Sequence, residues 1–109
     1  MDPIAGFEWD EGNREKCRKH GVSIAEIESV FRTPVVIVPD DGHSTDEERR
    51  MRAIGKAMSG RHVFVVFTMR PHADGDLVRP LSARYMHRKE VKTYEEANPQ
   101  VKEDPDLPH

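Results

Sequence analysis

Arg49-Arg50-Met51-Arg52-Ala53-Ile54-Gly55-Lys56-Ala57-Met58, then Ser59-Gly60, then Arg61-His62-Val63-Phe64-Val65-Val66-Phe67-Thr68 is the stretch around which the rest of the chain arranges itself. Two arms of strand character flank a Ser-Gly turn dipeptide, so pairing across Ser59-Gly60 into a β-hairpin is the simplest local solution. The second arm is the densest β-branched and aromatic run in the sequence. It is apolar on both faces from Val63 to Phe67, the composition of a central strand. Alternation places Arg50, Arg52 and Ile54 on one face of the first arm and Met51, Ala53 and Gly55 on the other. A sheet that projects arginines from one face is suited to holding a polyanion.

The 109 residues are enough for one domain that buries about two-thirds of the surface exposed by its unfolded chain. The single cysteine, Cys17, rules out an internal disulfide and a four-cysteine zinc site. No apolar run reaches the ~18 residues of a membrane span, and residues 1–10 lack the basic and apolar regions of a signal peptide. A cytoplasmic protein with no membrane partner is therefore expected. The net charge of −3 conceals a segregation. Residues 1–48 carry 12 Asp or Glu against 5 Lys or Arg, whereas residues 49–92 carry 11 Lys or Arg against 3 Asp or Glu. Clustered cations on the hairpin and the segment after it create a field that concentrates phosphates.

Outward from the hairpin, Ile4 to Trp9 reads as a short entry strand. Asp10 is a helix N-cap and Gly21 a stop, which predicts a helix over 11–20 with Trp9 and Cys17 turned inward. Ser23-Ile24-Ala25-Glu26 has capping-box spacing, and Ile24, Ile27, Val30 and Phe31 recur at helical intervals until Thr33-Pro34. Val35 to Val38 is a short β-branched strand, followed by a polar loop from Pro39 to Asp46. Asp40, Asp41 and His43 in that loop lack partner ligands at a recognised spacing, so no metal is expected. After the hairpin come a loop over 69–76 and a returning strand from Leu77 to Arg84. Pro80 in that strand requires a sheet edge, an N turned away from its neighbour, or a bulge. A closing helix is predicted over 85–97, with Val91, Tyr94 and Ala97 on one face. Residues 1–97 are thus expected to form the domain, and the acidic, proline-rich residues 98–109 a disordered tail.

No glycine-rich phosphate loop or serine nucleophile elbow is present, and Cys17 has no base and orienter beside it. Arginine chemistry remains. Arg50, Arg52, Arg70, Arg79 and Arg84 fall on or at the ends of three adjacent predicted strands. Guanidinium groups converging on one face can hold RNA and stabilise the extra charge of a phosphorane-like transition state. In RNA cleavage the substrate's 2′-hydroxyl is the nucleophile, so the protein needs only cations and proton carriers, for which His20, His62, His87 and Glu90 are available.

Five ordered motifs then carry a resemblance: Phe7-Glu8-Trp9-Asp10-Glu11-Gly12-Asn13, Lys19-His20-Gly21-Val22-Ser23, Ala53-Ile54-Gly55, Val65-Val66-Phe67-Thr68-Met69-Arg70, and Arg79-Pro80-Leu81-Ser82-Ala83-Arg84 followed by Glu90. Over about residues 7–94 the chain resembles the BrnT family of toxins from bacterial type II toxin–antitoxin systems. The resemblance implies an α+β, RelE-like fold with two N-terminal helices packed on a mainly antiparallel sheet and a C-terminal helix. It also implies a ribonuclease that inhibits translation without a cofactor. Neutralisation would come from a BrnA-like, DNA-binding antitoxin, in a hetero-oligomer that holds two copies of the chain if the antitoxin self-associates.

Carried over residue by residue, Arg50, Arg70 and Arg84 are the implied phosphate and transition-state contacts, His20 a proton carrier and Glu90 the glutamate of the closing helix. Lys19 and Arg79 are implied substrate contacts, and Arg52 is expected to be a third from its place on the arginine face of the first arm. Two departures stand out: the connection 71–78 is longer than the family's usual hairpin, and Pro80 replaces a β-branched residue. Since a one-residue slip reverses the faces of a strand, they bear directly on Arg79 and Arg84. Three readings follow: a metal-independent RNA-cleaving toxin, a catalytically inactive protein of the same fold that binds an antitoxin-like partner, and a nucleic-acid-binding module without turnover.

Overall fold

A computed structural model describes residues 4–40, 42, 44–45 and 48–99. In it the hairpin forms: β3 (Arg50–Lys56) and β4 (His62–Arg70) pair antiparallel, from Arg50 opposite Thr68 to Lys56 opposite His62. Gly60 closes the turn at φ 90°, where a side chain would be strained, and its N–H donates to the Ala57 carbonyl at 2.9 Å. The doubly apolar β4 is central. β5 (Leu77–Tyr85) pairs antiparallel along its other side, β2 (Val36–Pro39) lies outside β3, and β1 (Gly6–Phe7) runs parallel to β5. The sheet is therefore mixed and five-stranded, in the order β1-β5-β4-β3-β2. Among the described residues three helices complete the α+β fold.

α1 (Glu11–Arg18) ends before the predicted residue 20, with Lys19 as its C-cap. Its start is a reciprocal capping box: the Asn13 N–H donates to Asp10 Oδ1 at 3.0 Å and the Asp10 N–H donates to Asn13 Oδ1 at 2.7 Å. α2 (Ile24–Val30) is capped by Ser23, whose Oγ accepts from the Glu26 N–H at 3.1 Å. The Glu26 carboxylate accepts instead from the Tyr85 hydroxyl, tying α2 to the end of β5. Cys17, Val22, Ile27 and Val30 from the helical segments bury against Ala53, Val63, Val65, Phe67, Val78 and Ala83 from the sheet. Phe31 stands edge-on between Phe7 and Phe67, with ring centroids 5.7 and 5.1 Å away. Edge-to-face pairs of this kind add ~1 kcal/mol each to the burial itself.

Pro80 is accommodated by a bulge at a partly open edge. Val66 lies opposite Ser82 but Phe67 lies opposite Pro80, so Leu81 is an extra residue in β5. β1 covers β5 only at Leu77 and Val78; at Pro80 the exposed edge is instead taken by Asn13, whose Nδ2 donates to the Pro80 carbonyl at 2.9 Å and the Glu8 carbonyl at 3.0 Å. The bulge leaves Val78, Pro80 and Ala83 buried on the helical side, while Arg79, Ser82 and Arg84 share the opposite face with Arg50 and Arg52.

α3 (Arg88–Ala97) begins later than the predicted residue 85 because β5 continues through Tyr85, opposite Val63. It packs on the face away from α1 and α2. The Tyr94 hydroxyl donates to the Ile54 carbonyl at 3.2 Å, and its ring lies 5.8 Å from that of His62. Asn98, expected in the tail, is the C-cap of α3, with Nδ2 donating to the Tyr94 carbonyl at 2.9 Å. The rest of the expected tail beyond Pro99, and Asp41 and His43 of the expected loop, lie outside the described residues. Among the described residues no helix is long and apolar enough to cross a membrane.

Candidate functional site

The sheet face opposite α1 and α2 is built from three cross-strand rows. Arg50, Thr68 and Arg79 form the first, Arg52, Val66 and Ser82 the second, Ile54, Phe64 and Arg84 the third. Neighbouring strands are ~4.8 Å apart and same-face residues on one strand are ~6.8 Å apart, so the rows present a compact array of cations around an apolar centre. A cleft of about 330 Å³ opens on it, lined by Asp40, Arg50, Arg52, Phe64, Val66 and Ser82. Asp40 and Phe64 are cleft residues that the sequence reading did not single out for RNA; alternation along β4 was the available signal for Phe64.

The arginines differ in what already holds them. Arg84 is forked on Glu90, Nη1 donating to Oε1 and Nη2 to Oε2, both at 2.8 Å, with its guanidinium carbon 4.9 Å from the Phe64 ring centre. Glu90 Oε1 also accepts from the His87 N–H at 2.9 Å, which caps α3. The Arg84 hydrogen bonds, then that backbone N–H, hold the Glu90 carboxyl down to about 2, and the same pairing raises Arg84. Arg79 Nη1 contacts Asp10 Oδ2 at 2.8 Å and Glu8 Oε1 at 3.1 Å; Arg70 Nε is 3.7 Å from the same Glu8 oxygen. Asp10 is lowered by the Asn13 backbone N–H first and by Arg79 second.

Arg50 and Arg52 form no ion pair with a carboxylate among the described residues. Arg52 Nε is buried with no hydrogen-bond partner among the described residues. A buried donor left unsatisfied costs about 1–3 kcal/mol, and more when charged. These two guanidinium groups on the cleft are thus the ones available to an incoming anion.

The other implied site residues are not gathered there. Lys19 and His20 follow α1, in the layer on the far side of the sheet, and both are exposed. His62 is half-buried beneath Tyr94, and burial lowers its pKa. His87 is exposed at the start of α3. Cys17 is fully buried, and burial pushes its thiol up to about 11, which suits a core residue and not a nucleophile.

No curated protein matches the chain. The model of a family described as the ribonuclease toxin BrnT of type II toxin–antitoxin systems matches residues 9–90. That span runs from Trp9, just ahead of the α1 capping box, through every strand from β2 to β5, to the glutamate that grips Arg84. Covering well over half of the sequence, the match establishes that the chain belongs to the BrnT family of ribonuclease toxins.

Proposed function

We propose that the chain is an endoribonuclease toxin that grips a scissile phosphate of single-stranded RNA with Arg50 and Arg52 and needs no metal. The observation that carries this reading is the Arg50–Arg52 couple on the cleft, which forms no ion pair among the described residues, with Arg52 Nε buried and unsatisfied among them. The 2′-hydroxyl attacks the adjacent phosphorus and the bond to the 5′ oxygen breaks, giving a 2′,3′-cyclic phosphate and a 5′-hydroxyl. The phosphorane gains negative charge as it forms, and fixed guanidinium donors stabilise it more than they stabilise the ground state. Arg84 adds a third cation next to the cleft, and Glu90, ionised and bound to it on two sides, acts as its positioning residue. Among the described residues no histidine lines the cleft; in this reading water takes the proton from the 2′-hydroxyl and gives one to the leaving 5′ oxygen.

Family membership implies RNA as the target and a protein antitoxin as partner. Our reading adds a RelE-like fold, arrest of translation in the cytoplasm and a BrnA-like antitoxin that covers the arginine face in a hetero-oligomer. The test is cleavage of a long single-stranded RNA by the purified free chain in EDTA, with the product 3′ ends analysed. Cyclic phosphate ends are expected, and Arg50→Ala or Arg52→Ala is expected to slow cleavage by about 10²-fold, the usual effect of deleting one transition-state donor. Cleavage unchanged in both variants would displace the site. A folded parent that cuts nothing would leave the catalytically inactive, partner-binding reading.

A further inference from the structure

We propose that a groove next to the arginine cleft is a nucleobase subsite, taking the base of the nucleotide whose phosphate lies on Arg50 and Arg52. This rests on the ribonuclease reading above. The groove is an open one between α3 and the sheet, of about 470 Å³, and is lined by Ile54, Phe64, Met86 and Tyr94 together with Lys89 and Glu90. That volume falls within the range of about 300–1,000 Å³ usual for small-ligand sites, and an apolar wall with a few polar groups is their usual chemistry.

Phe64 makes the connection, because it lines both the groove and the cleft. The row of Arg52, Val66 and Ser82 that would face the phosphate is one alternation step, ~6.8 Å, from the row of Ile54, Phe64 and Arg84. A nucleotide has the matching asymmetry: an anionic phosphate at one end and, a few ångströms away, a flat ring with polar edges. Phe64 already carries the planar Arg84 guanidinium at 4.9 Å. Aromatic rings and guanidinium planes are the two surfaces on which unpaired RNA bases stack. Lys89 and Glu90 supply a donor and an acceptor for the base edge. A base inside a duplex cannot enter such a groove, so the substrate class is single-stranded RNA with at least one unstacked base.

The test uses a short 2′-O-methyl oligoribonucleotide, which cannot be cut, and an abasic strand of equal length, each titrated with the parent chain by fluorescence anisotropy at low salt. One stacked base corresponds to an affinity difference of about tenfold. The parent is therefore expected to bind the base-bearing strand about tenfold more tightly than the abasic one. Phe64→Leu, which keeps the wall apolar but removes the ring, is expected to bring that ratio towards one. Equal affinity of the parent for both strands overturns the subsite and leaves the phosphate reading intact. A tenfold ratio that survives in Phe64→Leu overturns the role of Phe64. Binding of neither strand overturns the ribonuclease reading itself and the subsite with it.

Discussion

Replacing Asn13 with alanine removes three hydrogen bonds in one step. The residue is 3% exposed. Nδ2 donates to the Glu8 and Pro80 carbonyls, and Oδ1 accepts from the Asp10 N–H. Alanine leaves two carbonyls and one N–H short of partners where β1, α1 and the β5 bulge meet. At ~1 kcal/mol for each lost bond, the expected loss is about 3 kcal/mol, a large part of the ~5–15 kcal/mol that holds a typical domain together. With an m value of about 1.5 kcal/mol/M the urea midpoint falls by about 2 M. Equilibrium urea unfolding followed by circular dichroism measures this. Arg14→Ala on the exposed side of the same helix serves as control, with an expected change within about 0.5 kcal/mol. A loss below about 1 kcal/mol for Asn13→Ala, or one equal to that of Arg14→Ala, would refute the reasoning: water would then satisfy the bulge edge as well as the amide does.

Two more outcomes follow from single contacts. A Cβ on Gly55 would stand 3.2 Å from Val30 Cγ1 and 3.4 Å from Val35 Cγ2. Gly55→Ala therefore pushes α2 off β3 and is expected to cost about 1–2 kcal/mol in a thermal melt; an unchanged melting temperature would show that Val30 gives way freely. The Glu90 carboxyl is held at about 2, below its ordinary 4.5, by Arg84 first and the His87 N–H second. The folded state thus binds fewer protons than the unfolded chain, so the contribution of Glu90 is present above pH 4.5 and disappears as the pH falls towards 2. Glu90→Gln is expected to be about 1 kcal/mol less stable than the parent at pH 7, limited by solvent screening of a partly exposed pair. The gap should close by about pH 2 in urea titrations, and a constant gap across that range would contradict the assignment.

What local chemistry controls was legible in the sequence. The hairpin at Ser59-Gly60, the arginine face of β3, the Asp10 and Ser23 caps and the strand after Pro34 all depend on residues within a few positions of one another. What depends on distant partners was not. β1 is two residues long and pairs parallel with residues some seventy positions later, an arrangement with no local signature. The carboxylates that hold Arg79 and Arg70 come from Glu8 and Asp10, across the same sequence distance. Sequence reasoning also grouped His20 and Lys19 with the arginines, because motif order does not show which side of a sheet a helix end occupies. Pro80 did announce an irregularity, yet only the register of β4 against β5 shows that the extra residue is Leu81.

That extra residue alters the arithmetic of the strand. Where pleating is regular, side chains that meet one ligand are separated by even intervals, and residues of opposite parity point away from each other. Arg79 and Arg84 are five positions apart and still face the same way. An odd interval between two side chains that must act together is thus itself a message that the ladder contains an insertion. It also fixes what change can do here: regularising the ladder with Leu81 kept would reverse one arginine relative to the other, whereas removing Leu81 would leave them four positions apart and still on one face.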